Sequence, residues 1–397
     1  SQEGKVSRGP AVESYEEFLC LKHHDKDAKG VDLSGWVFQA VDLQEDTKEN
    51  FASYNVSGAV FLGCTFPEGV RKNELISRGA IIHDNPSDLP FKPYRGFMYR
   101  QEELHQCDEE IYQYYLNEHD IQSDMWQAAH DFCIKDALGD YLKGKSVVAI
   151  MGGHGLERAS EGYEAILRIA QILAKEGFVI ATGGGPGAME AGNLGAYLAE
   201  HTEKETKEAL EIIRSRTEGF DYEKQAEYQD VEPPKRVIER FGEPTHMPSL
   251  GIPTWKYGHE PSNKFATWQA KFFSNAVRED GLIQIANCGI VYSPGSAGTR
   301  QEIFQDACRN HYADPQTACP MVFYGEEFWK ENKVFDLVKS TAEGRLYASL
   351  LLCSDDIREI TNHFMSYREQ RNYPKIQNLD SLKQPFWFTC SHQHSHV

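Results

Sequence analysis

Beyond Ser146, short apolar runs alternate with longer amphipathic stretches. Residues 147–151 form one such run, and Gly152, Gly153 and Gly155 follow it as a turn. Residues 163–175 repeat their apolar positions at helical spacing and stop at Gly177. The next apolar run is 178–181, followed by a turn from Thr182 to Gly187 and a helix from Ala188 to about Glu200. Apolar runs of four or five residues bounded by glycine predict buried strands, whereas repeats at three and four residues predict helices. Strand and helix in this cadence predict a parallel sheet with right-handed crossovers, whose ligands sit beyond the carboxyl ends of the strands.

The pattern changes twice further on. Residues 199–248 are polar and charged, with a helix predicted over 204–216 and a proline-containing stretch at 231–235, and read as a solvated helical insertion. Residues 250–263 read as loop, and 265–282 as a helix. An apolar run at 288–292 then gives way to Pro294, Gly295, Ser296, Ala297 and Gly298, after which Thr299 opens a helix with Glu302 three residues on. Strands at 320–324 and 350–355, each followed by helix, close the domain. Before Ser146, 36–43, 59–62 and 79–83 predict short strands, 68–78 a helix, 89–95 a proline-broken connector and 101–142 two or three helices. The organisation expected is therefore a small N-terminal α/β unit (1–100), a helical linker (101–143), a Rossmann-like doubly wound parallel sheet (144–370) and a C-terminal tail (371–397). The first unit carries no catalytic signature; a structural cap, a dimer surface and a regulatory ligand site all fit it.

Composition narrows the partners. With 60 acidic against 41 basic residues the net charge is −19, which argues against a long nucleic-acid duplex and leaves room for a small anion in a local positive pocket. No run approaches the ~20 apolar residues of a membrane span, and the first residues lack the apolar core of a signal peptide, so a soluble cytoplasmic protein with no membrane partner is expected. Nine cysteines stand singly without a CxxC pair, which points to a reducing compartment and no zinc site. His392, His394 and His396 alternate in the tail, where a disordered terminus explains them as well as a metal does.

The turn at Pro294–Gly298 carries the sharpest chemistry. Small residues between a strand and a helix let backbone N–H groups approach an anion, and the helix dipole adds positive potential there. A phosphate cradle is one reading of Gly295, Ser296, Ala297, Gly298 and Thr299. A capping box is the other, since Thr299 and Glu302 have the spacing at which hydroxyl and carboxylate satisfy the first turn. Asn275, Arg278 and Glu279 cluster on the preceding helix, where Arg278 fits either a phosphate contact or a surface salt bridge. The 250–263 stretch concentrates Trp255, Tyr257, His259 and Asn263, residue types suited to stacking and hydrogen bonding a base, or to a partly buried loop. Gly183, Gly185 and Ala188 satisfy a dinucleotide fingerprint, but Thr182 and Gly183 stand where an NAD enzyme places its ribose-binding acid and Arg158 stands where a glycine is required, so a dehydrogenase is disfavoured.

In order, the glycine turn after 151, T-G-G-G-P-G-A-M-E-A, an arginine-bearing helix and P-G-S-A-G-T-R-Q-E resemble the Lonely Guy (LOG) family over about 146–364. The LOG motif is P-G-G-x-G-T-x-x-E on a Rossmann-like fold. The resemblance implies hydrolysis of the N-glycosidic bond of nucleoside 5′-monophosphates to free base and ribose 5-phosphate, with no metal or organic cofactor. It implies Glu302 and Arg278 as catalytic residues, although the family's Arg-Lys pair reads Arg278-Glu279 here. It implies a phosphate loop at 295–299, with Ser296 in place of the second motif glycine, and nucleotide contacts from Gly153, Gly183, Gly184, Gly185, Met189 and Asn275. A homo-oligomer, dimer or higher, is also implied. The N-terminal unit and the insertion before Pro248 are closer to the longer bacterial nucleotide nucleosidases than to the short plant proteins. A nucleotide sensor that binds without cleaving is the alternative.

Overall fold

A computed structural model of the chain describes residues 9–376 apart from 25, 28–29, 222–229, 246 and 259–261. These divide into two compact units, one built from residues up to Met98 together with Glu109–Asp140, the other from Tyr99–Asp108 together with Tyr141 onward. Both units are α/β.

In the first unit, four short strands pair in parallel in the order Ala11–Val12, Val37–Gln39, Val60–Leu62 and Ile81–His83. Each is two or three residues long, and the last three are shorter than the runs 36–43, 59–62 and 79–83 suggest. Phe38 stacks on Phe61 at 4.8 Å between ring centroids, with Phe18, Phe51 and Tyr54 edge-on around this pair or its neighbours. The helix expected over 68–78 is confined to Lys72–Ser77. Two helices, Gln101–Asn117 and Ile121–Leu142, follow.

The second unit holds a seven-stranded parallel sheet. Its order is Trp268–Gln269, Ser249–Gly251, Val179–Thr182, Val147–Met151, Ile290–Tyr292, Met321–Phe323, Leu351–Cys353. The chain builds outward from Val147–Met151 to one edge, returns to its other side at Ile290–Tyr292 and builds to the opposite edge. This is the doubly wound, Rossmann-like arrangement, and the order reverses between the two central strands. Both are wholly buried, as continuous apolar runs require.

Two expectations are corrected. Residues 265–273 are not helical: Trp268–Gln269 is an edge strand, and the helix begins at Asn275, capped by the Ser274 hydroxyl. The 250–263 stretch begins inside a strand, Ser249–Gly251, that sits second from that edge. The proline-containing stretch at 231–235 opens the helix Glu232–Phe241, because the first helical turn has no use for the N–H groups that proline lacks.

The helices Glu161–Lys175 and Ala188–Tyr197 pack backbone against backbone on one face of the sheet. Gly195 permits the approach: a Cβ there would fall 2.2 Å from the Leu167 carbonyl oxygen and 2.8 Å from the Ala170 methyl. Neither neighbour is the end of a flexible side chain, so both helices would have to separate. Gly195→Ala is therefore expected to destabilise the protein by ~1–3 kcal/mol despite alanine's better helix propensity, as measured by urea denaturation.

Candidate functional site

The switch between the two central strands opens a cavity of about 260 Å³ at their carboxyl ends. Three loops wall it. Gly152, Gly153 and His154 follow the Val147–Met151 strand, Gly183, Gly184 and Gly185 follow Val179–Thr182, and Ser296, Gly298 and Thr299 follow Ile290–Tyr292. The first two loops are tied together at their far ends, where Arg158 makes a two-pronged ion pair with Glu190 at 2.7 Å and Tyr163 donates to the same carboxylate.

The third loop ends in a helix, Ala297–His311, whose N-cap residue Ser296 makes no side-chain hydrogen bond to the first turn. That corrects the capping-box expectation. The helix starts two residues before Thr299, so Glu302 lies beyond the position from which a carboxylate reaches back to the cap. The N–H groups of Ala297, Gly298 and Thr299 are left as the orphan donors of a helix start, beside a cavity, with the dipole behind them. Gly295 makes the turn this tight: a Cβ there would meet the Thr299 hydroxyl at 2.1 Å and the Gly153 backbone nitrogen at 3.0 Å. The helix is anchored below by Asp306, which is buried and accepts from the buried Tyr292 hydroxyl at 2.8 Å while pairing along its own helix with half-buried Arg309 at 2.7 Å.

Glu302 and Arg278 both line the cavity. The Glu302 carboxylate takes no hydrogen bond from any described residue, and burial pushes it up to about 7; the Arg278 charge opposes the rise and the Glu279 charge adds to it. Arg278 is buried, its Nη2 donates to Asn275 Oδ1 at 2.7 Å, and its Nε has no hydrogen-bond partner among the described residues. A buried guanidinium with a spare donor and a desolvated carboxylate near neutrality are groups held ready for a ligand. The one carboxylate paired with Arg278 is that of Glu279, 3.9 Å away and largely buried instead of at the surface, and Glu302 caps no helix.

Of the remaining residues proposed from sequence, Gly153, Gly183, Gly184, Gly185, Met189, Tyr257, Ser296, Gly298 and Thr299 line the same cavity. Gly183 lies against both Met189 and Arg278: a Cβ there would stand 2.8 Å from the Met189 sulfur and 3.4 Å from Arg278 Nη1. Gly295, Ala297 and Asn275 stand behind the wall. Asn263 holds the second glycine turn from outside, donating to the Gly185 carbonyl at 3.0 Å and, through its backbone, to Gly184. Trp255 is fully buried, stacked on Phe273 at 4.5 Å with its Nε1 donating to Asp108, and does not reach the cavity. His259 and the tail histidines lie outside the described residues. The lining also includes His154, Pro253, Thr254 and Glu279, which sequence reasoning did not assign. A histidine among three glycines and a glutamate adjoining the candidate arginine were the signals for two of them.

No protein-family model matches the chain, and no curated protein matches it. Among solved structures, the molybdenum cofactor binding protein from the phototrophic bacterium Rippkaea orientalis aligns at 15% identity over 56% of this chain and 96% of its own, with a TM-score of 0.34. Similarity at that level leaves the fold to rest on the observed sheet order and the site on its own geometry.

The two loop glycines make opposite demands. Gly295→Ala is expected to destabilise the fold by ~1–3 kcal/mol, since the added methyl meets Thr299 and the Gly153 backbone. At Gly298 a Cβ would meet nothing within 4 Å, and Gly298→Ala should melt within about 0.5 kcal/mol of the wild type. Parallel thermal melts distinguish the two.

Proposed function

We propose that the protein hydrolyses the N-glycosidic bond of nucleoside 5′-monophosphates, releasing the free base and ribose 5-phosphate. The observation that carries this reading is one cavity bounded by an uncapped helix N-terminus, a buried arginine with a spare donor and a hydrogen-bond-free carboxylate. The resemblance to the LOG family in the order and spacing of these groups supports it. The 5′-phosphate sits on the N–H groups of 297–299, where backbone donors and the helix dipole favour an anion. The C1′–N bond then breaks with its electron pair passing to the base, the sugar becomes oxocarbenium-like, and water adds its oxygen to C1′ while the base takes up a proton. Glu302, in its ionised form, stabilises the developing positive charge and engages the ribose hydroxyls or the water. Arg278 fixes the phosphate or the leaving side in register with it. The enzyme acts as a homo-oligomer in the cytoplasm, and substrate is its only small-molecule partner.

Incubation of the purified protein with a panel of nucleoside 5′-monophosphates and the matching nucleosides, with free base followed by chromatography, tests the reading. Base released from the monophosphates alone supports it and identifies the preferred base. Tight nucleotide binding by calorimetry without release points to a sensor.

Glu302→Gln and Arg278→Ala are each expected to lower kcat/KM by ~100-fold or more, the scale of losing one transition-state electrostatic contact. The wild-type pH profile has a defined sign. Burial raises Glu302 from 4.5 to about 7, so the working ionised form disappears as pH falls through about 7, and kcat/KM should fall tenfold per pH unit below it. A profile flat from pH 5.5 to 8 contradicts the role given to Glu302.

A further inference from the structure

Glu279 follows Arg278 on the helix Asn275–Ile285 and lines the cavity beside it. Both of its carboxylate oxygens are held. Oε1 accepts from Asn275 Nδ2 at 2.7 Å, and Oε2 accepts from Gln301 Nε2 at 2.7 Å. Asn275 in turn accepts from Arg278 Nη2 at 2.7 Å, while the same Nη2 stands 3.9 Å from Glu279 Oε1. A continuous chain of polar contacts, Arg278 to Asn275 to Glu279 to Gln301, therefore spans from the helix that carries Arg278 to the helix that carries Glu302, and ends on the residue next to Glu302.

What the chain prevents is as informative as what it joins. Among the described residues lining the cavity, Arg278 is the only lysine or arginine. A guanidinium and a carboxylate facing one cavity, with no restraint on either, gain most by forming a two-pronged ion pair. That pair would take both groups away from a ligand. Here Arg278 and Glu302 make no hydrogen bond to each other, and Arg278 Nη2 faces Asn275 and Glu279 instead.

We propose that Glu279 is a positioning residue of the hydrolysis centre: its carboxylate, clamped between Asn275 and Gln301, holds Arg278 and Glu302 apart as separate working groups. This rests on the hydrolytic reading above for its consequence in turnover, but the clamp itself is a property of the protein without ligand. Its electrostatic signature is carried by Glu302. Facing that carboxylate are Arg278 and Glu279 from the neighbouring helix, Tyr292 from the strand beneath, and His154 and Tyr257 from loops lining the same cavity. Asp306, one turn along its own helix, is committed to Tyr292 and Arg309. Removing the Glu279 charge deletes its repulsion on Glu302 and frees Arg278 to approach it, and both changes favour the ionised carboxylate.

The experiment pairs a direct titration with a rate profile. In protein labelled with 13C at the glutamate carboxyl carbons, Glu302 is followed by NMR in the wild type, Glu279→Gln and Glu279→Asp, its signal assigned by its loss in Glu302→Gln. The midpoint is expected near 7 in the wild type and at least about one pH unit lower in Glu279→Gln, with Glu279→Asp, which keeps the charge, near the wild-type value. The acid limb of kcat/KM should move by the same amount, with KM for the monophosphate raised because Arg278 is drawn onto Glu302. An unshifted Glu302 midpoint in folded Glu279→Gln overturns the proposal. Should that variant not fold, Gln301→Ala, at an exposed position, releases the carboxylate from its far anchor; a KM raised several-fold supports the clamp and an unchanged KM overturns it. Wild-type protein that releases no base overturns the hydrolytic reading, while the NMR titration still decides whether Glu279 governs Glu302.

Discussion

A helix that begins without a cap is the constraint around which this site is arranged. The first turn of Ala297–His311 presents orphan N–H groups that no described side chain satisfies, and at exposed Ala297 and Gly298 these donors are open to solvent or to a ligand. Everything nearby serves to keep them accessible. Gly295 lets the loop fold tightly onto Thr299 and Gly153, the bond from the Tyr292 hydroxyl to Asp306 ties the helix to the central strand, and the two central strands supply the diverging loops that leave space in front of it. The switch in strand order therefore does more than locate a crevice: it aims a helix terminus into it.

Against that fixed positive end, the protein sets two side chains whose burial runs against their usual chemistry. Glu302 loses solvation without gaining a hydrogen bond, so its charge is retained only near neutral pH and above. Arg278 leaves its Nε without a hydrogen-bond partner among the described residues. In an empty protein such groups are a cost to stability, of the kind that accumulates where function requires preorganised charge. The Arg158 to Glu190 pair, only a short distance along the chain from the same loops, shows the opposite case: there every prong is met, and the result is a brace between two turns.

Much of this was legible in the sequence, and the parts that were not have particular causes. The runs 147–151 and 288–292 announce buried parallel strands because each lacks polar alternation, and the glycine turns after them locate the cavity wall. Gly183, Gly184, Gly185, Met189, Arg278 and Glu302 all line one cavity, as their placement after successive strands implied. The capping-box spacing of Thr299 and Glu302 misled because the helix starts earlier, at Ala297, a choice made by the contact between Gly295 and Thr299 and not by local propensity. Phe265, Trp268 and Phe272 fall at helical spacing, yet Phe265 sits in a turn and Trp268 and Phe272 in extended chain: Gln269 exchanges backbone hydrogen bonds with Tyr99 and pairs with Gly251, contacts distant in sequence. Trp255 looked like a stacking platform because a polar loop surrounds it, whereas Asp108 meets its N–H and Phe273 covers its face, so it packs as core. The clamp on Glu279 was invisible for the same reason, since Gln301 lies on a different helix.

The most direct test of the central claim is a crystal structure of the protein with ribose 5-phosphate bound. The account predicts the phosphate oxygens within hydrogen-bond distance of the backbone N–H groups of Gly298 and Thr299, the sugar ring in the cavity against Glu302, and Arg278 Nε or its neighbouring donors engaged by the ligand. A phosphate bound elsewhere, with the first turn of Ala297–His311 left to water, would contradict it.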